Sequence, residues 1–218
     1  MSEIVWAAGR PIVGVDDLVR RYCGLPWSGN PPEVWAYAYF DAVPTSDGSV
    51  EPLDVLACAA LHPGLSQQDL AWFVEAKDAI DGTLARLSES ETLETADGKT
   101  LDAIEALPEL AAHRTSQSNN GVGMSLLSKV LHRKRPGLVP LLDRAISDRY
   151  RFVTGRKGVA AWPPLVHALR SDLCNDANGR VLQGLREQLA DELRGPVPSD
   201  LRLLDIAIWM DDRVGGQR

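Results

Sequence analysis

The sequence predicts an all-α fold, a single multi-helix domain that spans residues 1–218. Hydrophobic residues recur every three or four positions in most segments, which is the spacing of amphipathic helices. Proline and small polar residues stand where these segments begin, as is typical of helix starts. No two neighbouring segments show the alternation expected of paired strands. The length of 218 residues and the hydrophobic content of 44% suit one ordinary globular domain.

In the first half of the chain, an irregular region is followed by well-marked helices. Residues 24–52 are rich in proline and glycine. Within them, Asn30 followed by two prolines and a glutamate indicates a helix start, so we interpret EVWAYAYFDAV as helical, although its aromatic residues alternate as in a strand. Further helices are predicted over residues 52–61, 66–87 and 99–112. Ser66 and Asp69 form a capping-box variant at the start of the second of these.

The second half is predicted to be helical almost throughout. The helices are expected over residues 124–134, 141–152, 159–173, 177–194 and 201–210. Pro140 is placed to open the helix over residues 141–152. The last segment, LRLLDIAIWM, is apolar on nearly every side and should be deeply buried. Asp205 is a charged residue in this otherwise apolar helix, so it needs a partner, and an arginine from another helix is the expected one.

The composition excludes several classes of protein. No stretch approaches the roughly 20 apolar residues of a membrane-spanning helix, and no secretion signal is predicted at the N-terminus. The three cysteines, Cys23, Cys58 and Cys174, lie far apart, and the four histidines form no metal-ligand pattern. We therefore expect a cytoplasmic protein with no metal, no cofactor and no membrane partner.

Positive charge is concentrated in residues 129–157, although the formal net charge of the whole chain is −7. The basic residues of this segment are Lys129, Arg133, Lys134, Arg135, Arg144, Arg149, Arg151, Arg156 and Lys157. Only Asp143 and Asp148 oppose these nine, so the segment carries +7 and the rest of the chain −14. Such segregation is expected of a face that binds nucleic-acid phosphates. The alternative is that these cations pair with the protein's own acidic residues.

The most informative block is NNGVGMSLLSKVLHRKRPGLVPLLDRAISDRY, residues 119–150. In it, Gly121, Val122 and Gly123 directly precede a predicted helix. Two glycines allow a tight turn and a close approach to a ligand, and the helix start offers N–H groups to a phosphate. The alternative is a turn whose glycines only supply positive φ. With the basic helices that follow, residues 119–152 form the candidate functional segment.

Lys129 and Asp143 are the two residues of this block that are candidates for a catalytic role. Ser125, Lys129 and His132 project from the side of the helix opposite its apolar face. Asp143 falls in the first turn of the next predicted helix, where the helix dipole keeps a carboxylate ionised. The alternatives are a solvated surface lysine and a helix-start acid without a chemical role.

These features resemble the helix-hairpin-helix DNA glycosylases, and oxoguanine glycosylases in particular. The resemblance implies a phosphate-binding hairpin at residues 121–123 and a catalytic carboxylate at Asp143, which stabilises positive charge on the sugar as the glycosidic bond breaks. Bifunctional members also carry a lysine nucleophile. Its usual position holds Ser125 here, and Lys129 lies one turn later, as in variants with a Ser/Thr-Lys pair.

A second resemblance covers more of the chain. The stretches EPLDVLACAALHPGL, SLLSKVLHRKRPGLVPLLDRAI and LRLLDIAIWM look like an uncharacterised family of proteins from high-GC bacteria. This broader resemblance implies no activity.

Three functions are predicted, in order of preference. The first is a nucleic-acid-binding protein on a glycosylase-like helical scaffold, with DNA as its partner and without chemistry. Its expected contacts are Gly121, Val122, Gly123, Ser125, Arg133, Lys134, Arg135 and Arg144. The second is an active DNA glycosylase of DNA repair that uses Asp143, with or without Lys129. The third is a helical protein-interaction module with no nucleic-acid role.

Overall fold

Helices make up most of the structure. The computed structural model describes residues 3–46, 48–116, 121–156 and 158–215. Its α-helices are α1 Val15–Tyr22, α2 Pro52–Ala57, α3 Gln67–Glu75, α4 Lys77–Leu84, α5 Gly98–Glu105, α6 Leu107–Ala111, α7 Met124–Lys134, α8 Arg144–Thr154, α9 Trp162–Leu173, α10 Asp176–Glu192 and α11 Asp200–Gly215. Short 3-10 helices span Ala36–Tyr39, Cys58–Ala60 and Gly158–Ala161. The prediction of a mainly helical fold is confirmed.

The prediction that the chain lacks paired strands is wrong. Strands β1 Ile4–Ala7 and β2 Arg10–Val13 form an antiparallel hairpin in which Val5 lies opposite Ile12. The two turn residues, Ala8 and Gly9, have φ angles of 52° and 71°. Positive φ at both positions gives the turn a twist that matches the twist of paired strands. The available signal was the pair of β-branched runs on either side of Gly9.

Side chains near the junction of α9 and α10 hold the hairpin to the helices. The Trp6 backbone N–H donates to Asn178 Oδ1 at 2.8 Å, and Asn178 Nδ2 donates back to the Trp6 carbonyl at 2.7 Å. The Ala8 N–H donates to Asp172 Oδ2 at 2.8 Å. The hairpin is therefore part of the helical body.

Several helix boundaries agree with the sequence prediction. Helix α7 coincides with the predicted segment 124–134. At the start of α3, Ser66 Oγ accepts from the Asp69 N–H and Asp69 Oδ2 accepts from the Ser66 N–H, which confirms the capping box. The predicted long helix over residues 66–87 is divided at Ala76 into α3 and α4.

Two predicted helices differ from the structure. The segment EVWAYAYFDAV contains only the 3-10 helix Ala36–Tyr39. Helix α8 begins at Arg144 and not after Pro140, because Asp143 Oδ1 accepts a hydrogen bond from the Ile146 N–H at 2.9 Å. A carboxylate at this N-cap position satisfies an N–H group that the first helical turn leaves unpaired.

Helix α11 lies in the hydrophobic core, as its sequence predicts. Its buried apolar residues are Leu201, Leu203, Leu204, Ile206, Ala207, Ile208 and Met210. The helix packs against α1, α8 and α10, so it holds the start of α8 in a fixed position relative to the N-terminal part of the chain. In the part of the chain that the structure describes, no helix is long and apolar enough to cross a bilayer.

Candidate functional site

The glycine turn ahead of α7 is covered on one side and open on the other. A Cβ atom on Gly121 would lie 2.0 Å from the Ala111 carbonyl oxygen at the end of α6, and the Gly121 φ angle is +71°. The Val122 N–H donates to the same carbonyl at 2.9 Å. Gly123 is exposed, and no atom of the described residues lies within 4 Å of the position that a Cβ would take. Packing and backbone conformation thus explain Gly121, whereas Gly123 is accessible from outside.

Lys129 lies in the interior, not on a solvated surface. Its side chain is among the largest that are fully buried, with 1% of the residue exposed. Its Nζ atom donates to Ser125 Oγ at 2.9 Å and to the Ser125 carbonyl at 3.1 Å. Burial lowers the pKa of Lys129, and the neighbouring Asp143 carboxylate opposes that shift. The structure therefore brings Ser125, Lys129 and Asp143 together.

The space beside Asp143 is small. A cavity of about 10 Å³ is lined by Asp143, Asp205, Arg202, Tyr22 and Trp209, among others. This volume is roughly what one water molecule needs. A nucleobase is several times larger, so this arrangement leaves no room for one next to the Asp143 carboxylate.

Asp205 is the second carboxylate at this cavity, and within the described residues it forms no ion pair. It is 1% exposed, and within the described ranges neither of its side-chain oxygens makes a hydrogen bond of standard geometry. Burial raises the pKa of Asp205 to about 8. The predicted partner, an arginine from another helix, is absent from this part of the chain. Arg202 on the same helix instead binds Asp41, with Nε to Oδ1 at 2.7 Å.

The basic run at the end of α7 is buried and bound to the protein's own oxygens. Lys134 Nζ lies 2.5 Å from Asp54 Oδ2, and Arg133 Nη2 lies 3.4 Å from Asp54 Oδ1. Arg133 also donates to the carbonyls of Phe40 and Val43. Arg133 and Lys134 therefore anchor α2 and the loop over residues 40–46 to α7.

The ionisation of Asp54 matches this role. Burial by itself would raise the pKa of Asp54, but hydrogen bonds from Lys134, Thr45 and the Glu51 backbone outweigh it, so the pKa is lowered. Asp54 is consequently a buried anion that two cations share.

Arg135 is held in a similar way. Its Nε donates to the Leu87 carbonyl at 2.7 Å, its Nη1 donates to the Lys134 carbonyl at 2.8 Å, and its Nη2 lies 3.4 Å from Glu89 Oε1. Three residues predicted to contact nucleic acid, Arg133, Lys134 and Arg135, thus lie in the interior and have their N–H groups bound there. The structure does not place them on the expected outer face.

The basic residues of α8 are different, because most of them face outward. The side chain of Arg144 is 88% exposed, and that of Arg151 is 52% exposed. Both lie near Asp148, which is the acceptor of a direct hydrogen bond from Arg151. Arg156 is exposed and makes no ion pair within the described residues. Arg149 is the exception, since it binds Asp211 and backbone carbonyls of the hairpin. Lys157 lies outside the described residues.

A large aromatic side chain accompanies these cations. Phe152 is 88% exposed, the most exposed of the large hydrophobic residues in the described chain. Together with Arg144, Arg151 and Arg156, it forms what we call the α8 surface. The sequence pattern predicts only that Phe152 is the last residue of a helix. The signal that was missed is an aromatic residue among arginines in RFVTGR.

A pocket of about 180 Å³ opens between α8 and the start of α9, and we call it the α8–α9 pocket. Its apolar side chains belong to Leu142, Tyr150, Ala161 and Leu165. Its polar side chains belong to Ser147, Asp148, Arg151, Thr154 and Arg156. The apolar residues are buried, whereas Arg151 and Arg156 are exposed. The pocket therefore has an apolar floor and a mixed, charged rim.

Comparison with known proteins gives a family and no activity. A family model described as "Family of unknown function (DUF6308)" matches residues 15–212. Searches of curated proteins and of solved structures return no match. The match confirms the predicted resemblance to an uncharacterised family, while the resemblance to DNA glycosylases stays a prediction. Because the matched range covers nearly all of the 218 residues, the chain belongs to the family of unknown function DUF6308.

Proposed function

We propose that the protein binds nucleic acid through the α8 surface. The observation that carries the proposal is the exposed aromatic ring of Phe152 beside the exposed guanidinium group of Arg151. Phenylalanine is among the residue types most often buried, and the neighbouring Val153 is exposed as well. Adjacent exposed apolar residues among cations support an interaction surface.

The chemistry of these residues suits a nucleic acid. Arginine side chains bind phosphate oxygens in a bidentate way, which positions a strand without reading its sequence. An exposed aromatic ring provides a face on which a base can stack. Arg144, Arg151 and Arg156 supply the first kind of contact, and Phe152 supplies the second. The exposed Gly123 at the start of α7 is a further expected contact, since backbone N–H groups at a helix start favour phosphate.

The buried basic run limits the strength of this binding. Arg133, Lys134 and Arg135 already serve the protein's own carbonyls and carboxylates, so about three cations remain for phosphates. The whole chain is also acidic, with a net charge of −7. We therefore expect affinity that falls with rising salt, with a slope of roughly −2 to −3 in log K against log salt.

Fluorescence anisotropy with a labelled oligonucleotide tests the proposal. We expect the double variant Arg151→Ala/Arg156→Ala to weaken binding by about 10-fold and to lower the salt slope by about 2. Arg186→Ala is the matched control, because Arg186 is an arginine on α10 with a half-exposed, ion-paired side chain like that of Arg151. Phe152→Ala should weaken binding about fivefold, and Val74→Ala, at another exposed apolar position, should not.

Three results would contradict the proposal. One is equal loss of affinity in the α8 variants and in their controls. Another is affinity that does not change between low and moderate salt. The third is that the intact protein retains no oligonucleotide but retains a protein partner through Phe152, which would favour the interaction-module hypothesis.

A second candidate function, base release by a glycosylase, is favoured by one observation. Lys129 is buried, and the charge of the half-buried Asp143 acts on its amine. A desolvated lysine with a lowered pKa is a better nucleophile at neutral pH. The cavity beside Asp143 would have to widen by movement of the surrounding helices before a base could enter.

Borohydride trapping on lesion-bearing DNA tests this second candidate. A covalent adduct is expected with the intact chain and not with Lys129→Ala. If the Lys129→Ala variant still forms the adduct, Lys129 is not the nucleophile. The release of a free base without an adduct would assign the chemistry to Asp143 alone.

A further inference from the structure

We infer that the α8–α9 pocket receives an unpaired nucleobase, and that the ligand class is therefore single-stranded nucleic acid. This inference rests on the proposed function and deepens it. It is carried by the size of the pocket, its apolar floor and its mixed rim.

The size of the pocket suits one base. A volume of about 180 Å³ equals the share of roughly six water molecules in the liquid. A flat heteroaromatic ring fits in such a space. The sugar and phosphate would stay outside, where the exposed Arg151 and Arg156 lie.

The floor of the pocket suits a ring and not a phosphate. Leu142, Ala161 and Leu165 are buried apolar residues, and the buried Tyr150 hydroxyl is turned away to Asp172 Oδ2 at 2.7 Å. Apolar walls of this kind gain from the removal of a base from water. A phosphate would lose its hydration there without compensation.

The polar groups at the rim suit the edge of a base better than they suit an anion. Asp148 lies at the rim beside Arg151 and Arg156, so a carboxylate acceptor stands next to guanidinium donors. A phosphate offers only acceptors, and the Asp148 charge would repel it. The edge of a base carries donors and acceptors side by side, which suits the mixed rim. The hydroxyls of Ser147 and Thr154 can act as donor or acceptor to either.

The pairing state follows from the same contacts. Bases in a duplex already use their Watson–Crick edges and are stacked on both faces, so a base must leave the duplex to enter a pocket. A single strand offers its bases freely. Phe152 lies four residues after Asp148 on α8, so the two side chains share a helix face. A neighbouring base of the same strand can therefore stack on Phe152 while one base occupies the pocket.

The experiment compares two labelled strands of about 12 nucleotides with the same number of phosphates. One carries bases, and the other carries abasic residues throughout. We expect the strand with bases to bind about 25-fold more tightly, about fivefold from the pocket and about fivefold from stacking on Phe152, and a duplex of the same length to bind no more tightly than the abasic strand.

A pocket-filling variant assigns this preference to the α8–α9 pocket. Ala161→Met fills the floor and should reduce the ratio between the two strands to about fivefold, the share that stacking on Phe152 supplies. Ala160→Met is the matched control, because Ala160 is the exposed neighbour in the same 3-10 helix and does not line the pocket. Ser147→Met narrows the exposed rim and leaves the core unchanged. It replaces Ala161→Met in the experiment if thermal unfolding shows that Ala161→Met is misfolded.

The outcomes separate the inference from the proposed function. Equal, salt-dependent binding of both strands overturns the pocket inference and leaves the proposed function in place. A preference for bases that keeps its full size in both methionine variants and disappears only in Phe152→Ala also overturns it. Failure of the intact protein to bind either strand overturns both.

Discussion

Two neighbouring stretches of one basic segment have opposite roles in the fold. At the end of α7, Arg133, Lys134 and Arg135 are buried and satisfied by carbonyls and by Asp54. On α8, Arg144 and Arg151 extend into solvent and share Asp148. The two stretches have a similar charge in the sequence. The exposure of a basic side chain therefore depends on whether loops with free carbonyls and a carboxylate pack over its helix. The number of charges in the sequence does not predict this.

Helix geometry explains why the α7 run could not be wholly exposed. Successive residues on an α-helix are rotated by about 100°, so three consecutive basic residues point in three directions. The opposite side of α7 is in the core, where Val130 and Leu131 are fully buried. On α8, Arg144 and Arg151 lie seven residues apart, which puts both on one solvent-facing side of the helix, and Arg156 follows after the helix has ended.

The largest expected effect comes from removing the shared buried anion. Asp54→Ala leaves two buried cations without their counter-charge, and we expect it to lower the free energy of unfolding by about 4 kcal/mol. Asp148→Ala is the matched control, because Asp148 is also shared by two arginines but on the surface, and its loss should cost less than about 1 kcal/mol. Urea unfolding of both variants measures the difference. Similar losses in the two would mean that the α7 cluster is solvated in solution.

A smaller effect is expected at the glycine turn. Gly121→Ala places a Cβ atom against the Ala111 carbonyl at a positive φ, and we expect a loss of about 3 kcal/mol. Gly123→Ala meets open space at an ordinary φ of −64° and should change the stability by less than about 1 kcal/mol. Thermal unfolding distinguishes them. If Gly121→Ala leaves the thermal stability unchanged, the turn is not packed on α6. Both Gly121 and Gly123 would then be available for the predicted phosphate contact.

Asp54 forms ion pairs with two buried cations, whereas Asp205 is buried without an ion pair among the described residues. The pKa of Asp205 is raised by burial to about 8 in the folded protein, whereas it is about 3.9 in an unfolded chain. Between these values the folded state holds a proton that the unfolded state has lost, so stability falls as the pH rises from about 4 to about 8. Asp205→Asn removes this penalty.

We therefore expect Asp205→Asn to have the stability of the parent near pH 4 and to exceed it by about 2 kcal/mol near pH 5.5, because each further pH unit in this window removes about 1.4 kcal/mol from the parent. Urea unfolding at several pH values measures the change, with Asp54→Asn as the opposite case that should be destabilised at pH 8. A gain for Asp205→Asn that does not depend on pH would show that the Asp205 carboxyl does not titrate in this range.

The fold was predictable from sequence where local chemistry decides the structure. The capping box at Ser66, the bounds of α7 and the burial of α11 all follow from spacing and capping residues. The hairpin at Ile4–Ala7 and Arg10–Val13 was missed, because each strand has only four residues and its pairing depends on contacts with Asn178 and Asp172, far away in the sequence. The late start of α8 was missed because Pro140 competes with Asp143 as a start signal.

The candidate site was less predictable than the fold. Sequence identified Ser125, Lys129 and Asp143 as a group, and the structure brings them together. It did not identify Asp54, whose role depends on packing between α2 and α7, nor Phe152, whose exposure only the tertiary structure determines. When loops that are distant in the sequence bury charged residues, no local sequence pattern indicates it. The sequence therefore predicts one basic face, whereas the segment forms a buried region at the end of α7 and an exposed region on α8.

The amide of Asn178 has a consequence for how chains meet one another. An edge strand with free backbone groups is a template on which another chain can add a strand. Here Asn178 occupies both the donor and the acceptor of Trp6, and Asp172 takes the N–H of Ala8. At Trp6, the side of β1 that faces α10 is thus already paired by a buried side chain, so no further strand can add there. Asn178→Ala should leave the Trp6 N–H and carbonyl without partners and loosen the hairpin from the helices.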